Sequence, residues 1–489
     1  MNDEESSILI PESTILDDST LKEPQKEATY SDVFKNKDFM KLLTGQFFSN
    51  FGDAIFRISI QFYVYYLTGS ATAMTLILAA QTVPWVIIGP IAGVFADRVS
   101  RKAIMVGADI IRGISILMLP LLPYIFDTTI IIYGVAVIAF ILGAAAATFV
   151  APRSAAIPEI TGFRLYVKAI SLSQLIFQTL AVIGPLMASP IYLALGEQTF
   201  WITSGCYFAS ATIIFITKIP SASRDKKEKL GVKLVFKDLK NGFSFLLRHP
   251  TVRMLLFLFT FIIVGTAFAG PLLLPYLYEI KHNAVAIQYF NTTTTVYRLM
   301  NPEHIAVNYY GAIIPTYQPS FMDTLRSLAD SQYAYVGAAS ALGAVGGNLT
   351  FGRFEKFIGR SRALLTGAIA ISCYYFVFLF KPGIIVLLFL GFTMGFFNGM
   401  MNLSINALFA ENVPNEVRGR AYSATNAYIQ VLSVACLSIS GLTADSIGIV
   451  TTITGAGIFL LLTTIFITVW TKGYKFAEEK PNPNLVEYE

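Results

Sequence analysis

Charged residues are scarce in this chain. Asp, Glu, Lys and Arg make up 14% of its 489 residues, whereas 54% are hydrophobic, and the mean hydropathy is +0.60. Because soluble domains average about 25% charged residues, this composition excludes an ordinary soluble globular protein. The net charge of +5 collects at the edges of apolar runs, so the sequence does not indicate a nucleic-acid partner.

Histidine and cysteine are also rare, with three of each. The histidines, all outside the long apolar runs, are His249, His282 and His304, and the cysteines, all inside them, are Cys206, Cys373 and Cys436. These positions form neither a disulfide framework nor a metal motif. Nucleophile–base sets and phosphate-binding loops are missing as well. We therefore predict no metal site, no cofactor and no enzymatic activity.

Long apolar runs, in contrast, are abundant. A helix that crosses the hydrocarbon core of a bilayer needs roughly 20 mostly apolar residues, and continuous runs favour helices over the alternating strands of a barrel. The sequence predicts twelve transmembrane helices, near 41–67, 71–95, 103–123, 128–150, 167–192, 197–218, 251–278, 333–353, 361–380, 383–409, 419–441 and 447–471.

Basic residues lie mainly on one side of these predicted helices. The connections on that side hold 22 Lys and Arg residues, and those on the other side hold 4. Basic residues remain in the cytoplasm, so both termini are expected there, in a multi-pass protein of the plasma membrane.

Two six-helix halves are predicted. Helix 5 begins with "AISLSQLIFQ" and helix 11 with "AYSATNAYIQ", an internal repeat that is typical of transporters with substrate bound between related halves. The predicted organisation is a disordered acidic cytoplasmic tail at 1–35, a first bundle at 36–218, a basic cytoplasmic linker at 219–250, a second bundle at 251–475 with an extracellular insert at 280–332, and a cytoplasmic tail at 476–489. The linker is expected either to lie along the inner membrane face or to be a solvated tether.

The stretch "GVFADRVSRK" between helices 2 and 3 resembles the signature G-x-x-x-D-R-x-G-R-R/K of the major facilitator superfamily, with Ser100 in place of the second glycine. "GQFFSNFGDAIFRISIQFYVYYLTGSATA", "QTVPWVIIGPIAGVFADR" and "VPNEVRGRAYS" resemble its macrolide-efflux and siderophore-exporter branch. The resemblance covers roughly 38–475, apart from the insert. It implies a gate that locks the two halves on the cytoplasmic side. The residues assigned to this gate are Gly93, Asp97, Arg98, Arg101, Lys102, Gly419 and Arg420.

Two carboxylates lie within predicted membrane helices, where a charge is costly and indicates a functional site. Asp53 in helix 1 precedes Arg57 by one turn, and Asp109 in helix 3 precedes Arg112 by three residues. Both spacings allow the two side chains to pair. Each pair is therefore a candidate for proton coupling, with a purely structural ion pair as the alternative.

Amides recur at helical spacing in helix 10, at Asn398, Asn402 and Asn406, and again in helix 5, at Gln174 and Gln178. The resemblance implies that helix 10 lines the central cavity, so these amides are candidates for binding substrate. Hydrogen bonds between helices are the alternative.

The pair Gly184-Pro185 resembles the antiporter signature G-P-x-x-G-G, with Ala188 and Ser189 replacing its last two glycines. The resemblance therefore favours export. The predicted function is proton-coupled export of amphiphilic small molecules, such as drugs, macrolide-like compounds or siderophore-like metabolites, by alternating access. The expected partners are this substrate, protons and the bilayer, and the chain is expected to be a monomer. A membrane sensor or lipid-interaction scaffold on the same fold, or a divalent-metal exporter, are the alternatives.

Overall fold

The computed structural model describes residues 29–219, 232–280, 305–307, 313–315, 319–358 and 360–470, with only the backbone at some positions, including 93–98, 319–330, 354–358 and 360–363. The predicted tail at 476–489 and most of the tail at 1–35 lie outside the described residues, as does much of the predicted extracellular insert.

Helices dominate the described chain. They are α1 (Tyr30–Lys35), α2 (Lys37–Thr68), α3 (Ala71–Arg98), α4 (Arg101–Leu117), α5 (Thr128–Leu195), α6 (Thr199–Ile216), α7 (Val232–Arg248), α8 (Pro250–Ile263), α9 (273–280), α10 (Pro319–Ile358), α11 (Arg360–Val377), α12 (Ile384–Asn412), α13 (Asn415–Ile447) and α14 (Ile449–Trp470). Short 3₁₀ turns follow α4, α5 and α11, and a π turn (Val264–Ala269) and a 3₁₀ turn join α8 to α9. Two short antiparallel strands, β1 (Ile305–Val307) and β2 (Ile313–Pro315), pair with each other.

The prediction of an all-α membrane protein is confirmed. Seven stretches of the described residues are long and apolar enough to cross a bilayer, and all twelve predicted segments are helical almost throughout. Since the remaining segments do not meet the same criteria of length and composition, the number twelve stays a prediction. We call α2–α6 the first half and α8–α14 the second half. We call the end of the bundle where α3 meets α4 and α12 meets α13 the basic end. We call the far end of the bundle the opposite end.

The predicted connection between the segments 128–150 and 167–192 is largely helical. Helix α5 runs from Thr128 to Leu195, and its regular backbone is interrupted at Gly162, where φ is 70° and ψ is 163°. Residues with a Cβ rarely adopt a positive φ, so a glycine allows the chain to turn sharply here. As a result, residues assigned to a loop from the sequence, including Arg153, belong to a helix.

Two predicted connections are shorter than expected. Helix α10 begins at Pro319, inside the predicted insert, because proline fits the first turn of a helix. The linker contains α7, which packs on the basic end of the second half. There, the ring of Phe243 lies 6.1 Å from that of Tyr428, and Gly242 lies against the backbone of Arg420.

Glycines let α10 and α12 approach each other closely. A Cβ at Gly343 or Gly347 would collide with backbone oxygens of α12, and a Cβ at Gly395 or Gly399 would collide with backbone oxygens of α10. The four residues therefore alternate between the two helices along one tight seam. In lipid, where association depends on packing, such small residues are the usual means of bringing helices together.

We predict that Gly395→Ala destabilises the second half. The added Cβ would meet the carbonyl oxygen of Ser340, which is backbone and cannot rotate away. Overpacking of this kind costs about 1–3 kcal/mol in the free energy of unfolding, so the melting temperature of the purified protein should fall. Gly346→Ala is the matched control, because its Cβ would lie 3.7 Å from the ring of Phe396, an ordinary contact. Equal melting temperatures for the two variants would contradict the prediction.

Candidate functional site

A buried polar cluster joins α2, α4 and α6 in the first half. Asp109 is fully buried. It accepts a hydrogen bond from the hydroxyl of Ser210 at 2.6 Å and another from Ser49 at 3.3 Å. The Nη1 atom of Arg112 lies 3.4 Å from the Asp109 Oδ1 atom and also donates to Ser49 at 3.2 Å. Since burying a charge is costly unless it is paired and hydrogen-bonded, this arrangement explains how Asp109 is retained inside the bundle.

Asp53 extends the same cluster towards the surface. Its Oδ1 atom accepts a hydrogen bond from the hydroxyl of Tyr207 at 2.5 Å, and its Oδ2 atom lies 3.9 Å from the Nη1 atom of Arg112. The side chain of Asp53 is 39% exposed, whereas that of Arg112 is only 4% exposed. A single guanidinium therefore links one buried carboxylate and one accessible carboxylate.

Of the two predicted ion pairs, only Asp109–Arg112 forms. Among the described residues, Asp53 pairs with Arg112 of α4 and not with Arg57. Arg57 is exposed and lies near enough to Tyr333 of the second half to affect it electrostatically. Helical spacing allows the pair with Arg57, but the packing of α4 and α6 against α2 places Arg112 and Tyr207 at the Asp53 carboxylate.

Arg153 is a further charged residue near the cluster, and the sequence does not reveal it. It interacts electrostatically with both Asp53 and Arg112. Its position in "VAPRSAAIPE" suggested a basic loop between two membrane helices, because the apolar run ends at Val150. No sequence signal could have found it, because Pro152 and Pro158 lie in this stretch and prolines favour a break in a helix. Ser49, Tyr207 and Ser210 were missed for a different reason, since isolated hydroxyls in apolar helices are common.

An open cavity reaches the exposed side of Asp53. Its volume is about 130 Å³, and it lies between α2 and the second part of α5. Asn50, Asp53 and Arg57 supply its polar wall, and Phe177, Leu180 and Pro185 supply an apolar wall. Of the predicted antiporter pair, Pro185 lines this cavity, and Gly184 allows α5 to approach Ala54 of α2 closely. Asp53 is thus accessible from a space that can hold a small molecule.

The predicted amide stripe bonds mainly within its own helix. The side-chain amide of Asn402 donates to the Asn398 side-chain oxygen at 2.8 Å, and that of Asn406 donates to the Asn402 carbonyl at 2.8 Å. Gln174 and Gln178 are exposed on α5. These five amides do not line the cavity at Asp53, so their role in binding stays a prediction.

The stretch predicted to be a gate is described in part. Only the backbone is described at Gly93, Asp97 and Arg98, so the side chains of Asp97 and Arg98 lie outside the described part of the chain. Arg101 pairs with Glu159 and donates to the carbonyl of Ala155 at 3.2 Å, and the Nζ atom of Lys102 lies 5.1 Å from the Phe215 ring centre. These contacts stay within the first half. Gly419 and Arg420 at the start of α13 are exposed, so the predicted lock between halves at this end stays a prediction.

At the opposite end, a carboxylate of one half caps a helix of the other. Asp445 of α13 accepts hydrogen bonds from the Ser70 hydroxyl at 2.6 Å and from the backbone N–H groups of Ala71 and Thr72 at 3.1 and 3.0 Å. The first N–H groups of a helix have no partner within it, and a negative charge at that terminus is favourable. We call this contact the Asp445 cap.

Other contacts close the same end around the Asp445 cap. Gly441 allows α13 to approach α3 so closely that a Cβ would collide with Thr75. The hydroxyl of Tyr333 donates to the side chain of Gln61 at 3.0 Å, and the ring centres of Tyr65 and Tyr278 are 5.0 Å apart. The two halves are therefore joined at the opposite end.

Comparison with known proteins identifies the family. The family model of the major facilitator superfamily matches residues 42–297 and 304–487. The chain belongs to the major facilitator superfamily. The resemblance found in the sequence is thereby confirmed, and the chain is a membrane transporter of this superfamily, a family that is not enzymatic.

Efflux proteins are among the relatives of this superfamily member. Macrolide efflux protein A of Streptococcus pyogenes is 24% identical over 84% of this chain and 90% of its own length. Multidrug efflux pump Tap of Mycolicibacterium fortuitum is 22% identical, with the same coverage. The match to the uncharacterized MFS-type transporter YfiS of Bacillus subtilis, at 24% identity, spans 45% of this chain and only 51% of that protein.

Solved structures show the same fold. A crystal structure of the nucleoside transporter NupG (D323A mutant) matches with a TM-score of 0.66 at 11% identity, covering 88% of this chain and 100% of that chain. At such low identity, the likeness concerns the arrangement of helices and not the substrate.

We predict that Arg112→Met destabilises this transporter and that the double variant Asp109→Asn/Arg112→Met recovers most of the loss. Removing only the cation leaves a buried carboxylate unpaired, which costs about 3–5 kcal/mol, whereas the double variant buries no charge at this position. The melting temperatures of the wild type, both single variants and the double variant would be measured and compared as a double-mutant cycle. Equal destabilisation of the Arg112→Met variant and the double variant would contradict the prediction.

We predict that Asp445→Ala loosens the opposite end of the superfamily fold. Without the carboxylate, two N–H groups of α3 lose their partner, and the halves separate there more often. A cysteine placed at buried Thr75 should then react several-fold faster with a membrane-impermeant maleimide. Ser446→Ala is the control, because the Ser446 hydroxyl bonds within α13. Equal labelling rates in the two backgrounds would show that the cap does not hold the end closed.

Proposed function

We propose that this transporter is a proton-coupled exporter of amphiphilic small molecules, drugs or macrolide-like compounds among them. Export through the plasma membrane by alternating access, with both termini in the cytoplasm, is part of the same proposal. One observation carries it: the carboxylate of Asp53 lies on the wall of an open cavity while it is bonded to Tyr207 and Arg112 in the buried cluster.

The geometry supports proton coupling through a change in the charge of the cluster. With Asp53 and Asp109 ionised, two carboxylates face Arg112, and Arg153 adds a second cation nearby. A proton on Asp53 removes one negative charge and weakens the contact to Arg112, which keeps Asp109 as its partner. An intramembrane carboxylate that is accessible on one side and paired on the other is suited to bind and release protons.

The nature of the cavity supports an amphiphilic substrate. Its polar wall holds a carboxylate, a guanidinium and an amide, and its apolar wall holds Phe177, Leu180 and Pro185. A molecule with one charged and one apolar face satisfies both walls. Two of the relatives are a macrolide efflux protein and a multidrug efflux pump, which supports the same class of substrate and the outward direction.

The excess of Lys and Arg at the basic end supports a cytoplasmic location for that end and for both termini. In the described part of the chain, no group of three or more His, Cys, Asp or Glu residues could hold a metal ion, which gives a metal exporter no support. A sensor or scaffold would not require an accessible intramembrane carboxylate beside a cavity.

We predict that Asp53→Asn uncouples transport from protons. Purified protein in liposomes should move a lipophilic cationic dye or a macrolide when a pH gradient is imposed. In the Asp53→Asn variant, this accumulation should fall to the level of protein-free liposomes, because the amide cannot take up and release the proton. Exchange of labelled for unlabelled substrate without a gradient should continue, since the protein with an uncharged residue 53 can still alternate between its two access states.

Asp38→Asn serves as the matched control, because it makes the same chemical change in the same helix but at the surface of the basic end. Gradient-driven accumulation that survives Asp53→Asn would rule out the assignment of the proton site. Wild-type protein that moves no compound of a broad panel under any gradient would favour the sensor or scaffold.

A further inference from the structure

A second cavity lies inside the second half of the fold. Its volume is about 180 Å³, and it lies among α9, α10, α11, α12 and α14. We call it the aromatic cavity, because four rings line it, with one methionine and one isoleucine beside them: Tyr333, Tyr374, Tyr375, Phe378, Met394 and Ile453. The side chains that line it are all uncharged, which distinguishes it from the cavity at Asp53.

Packed residues separate the aromatic cavity from the cavity at Asp53. The two walls have no residue in common. Gly337 belongs to the wall of the aromatic cavity and Pro185 to the other wall, and a Cβ built on Gly337 would lie 3.7 Å from the Cβ of Pro185. A molecule in the aromatic cavity is therefore a different ligand from one that lies at Asp53.

The three tyrosine hydroxyls of this wall differ in their hydrogen bonding. Tyr333 donates to the side chain of Gln61 at 3.0 Å, and Tyr375 donates to the carbonyl of Gly265. The side chain of Tyr374 is only 8% exposed, and the described part of the chain provides no hydrogen-bond partner for its hydroxyl. Because a buried hydroxyl without a partner is costly, a ligand that bonds to Tyr374 gains that energy on binding.

An irregular stretch of helix borders the aromatic cavity. The π turn at Val264–Ala269 interrupts the α-helical pattern between α8 and α9. Ala269 lines the cavity, and the bond from Tyr375 to Gly265 ties the cavity wall to the π turn. Single π turns inside helices frequently occur at functional sites, so this border supports a role for the cavity in binding.

We propose that the aromatic cavity is a binding site for a neutral, benzene-sized ring that carries one hydroxyl group, and that this hydroxyl bonds to Tyr374. An apolar protein cavity of about 150 Å³ is large enough to bind benzene, and aromatic walls add favourable edge and offset contacts to a bound ring. The tyrosine hydroxyl can donate or accept, so it suits a ligand hydroxyl in either direction. The uncharged wall disfavours an ion.

Tyr374 is the position at which the hydroxyl can be removed while the ring is kept. Tyr374→Phe makes this change in the cavity wall. Tyr276→Phe is the matched control, because Tyr276 is also buried and its hydroxyl also has no partner, but it does not line the cavity. Ile453→Phe fills the cavity from α14, where Ile453 is 1% exposed, and Ile458→Phe is its control at a position that is 45% exposed.

The probes are 4-fluorophenol and 4-fluorotoluene, which have nearly the same shape and differ in one hydroxyl. Their saturable binding to the full-length protein in lipid nanodiscs would be measured by fluorine NMR, with empty nanodiscs to correct for partition into lipid. Tyr374→Phe should weaken 4-fluorophenol about fivefold, which corresponds to a hydrogen bond of about 1 kcal/mol, and leave 4-fluorotoluene unchanged. Tyr276→Phe and Ile458→Phe should change neither affinity, and Ile453→Phe should abolish the binding of both probes.

The outcomes distinguish this site from the cavity at Asp53. An equal effect of Tyr374→Phe on the two probes, or an equal loss in the Tyr276→Phe variant, would overturn the assignment. Wild-type protein without saturable binding of either probe would show that the aromatic cavity holds water only. Asp53→Asn should leave both affinities unchanged, and loss of binding in that variant would place the probes at Asp53 instead. If the Ile453→Phe variant does not fold, the comparison of Tyr374→Phe with Tyr276→Phe decides alone.

Discussion

The guanidinium of Arg112 is the group on which the first half of the molecule depends. A carboxylate and a guanidinium are both expensive in an apolar bundle, and here each is retained because the other is present. Asp109 occupies the buried side of Arg112 and Asp53 the accessible side. Hydroxyls from α2 and α6 donate hydrogen bonds to these two carboxylates. Helices α2, α4 and α6 are thereby tied together at one point.

The two ends of the molecule differ in how the halves meet. At the opposite end, the Asp445 cap and the bond between Tyr333 and Gln61 cross the seam. At the basic end, the described contacts of Arg101 and Lys102 stay inside the first half. A transporter that works by alternating access needs contacts that can form at one end while they are broken at the other. The Asp445 cap suits this role, since helix N-termini attract a carboxylate without requiring a second buried charge.

Much of the architecture could be predicted from the sequence because it depends on local properties. Apolar runs of sufficient length predict membrane helices wherever they occur, and the stretch from Gly93 to Lys102 resembled the correct superfamily. The predictions that differed concern chain segments whose state depends on neighbours. The region around Arg153 was assigned to a loop because of its charge and its prolines, yet it continues α5 until Gly162. The second part of the linker is a helix because α13 provides a surface for it.

The candidate site, too, could be predicted from the sequence only in part. By itself, the sequence predicted that Asp53 and Asp109 lie in membrane helices, and spacing along one helix identified Arg112 as the partner of Asp109. Only the tertiary structure decided that Arg112 also serves Asp53, that Tyr207 and Arg153 join them, and that Asp445 reaches α3. The physical reason is the range of the signal. Helical periodicity relates residues three or four positions apart, whereas these contacts join residues of different helices, whose relative position is set by the packing of the whole bundle.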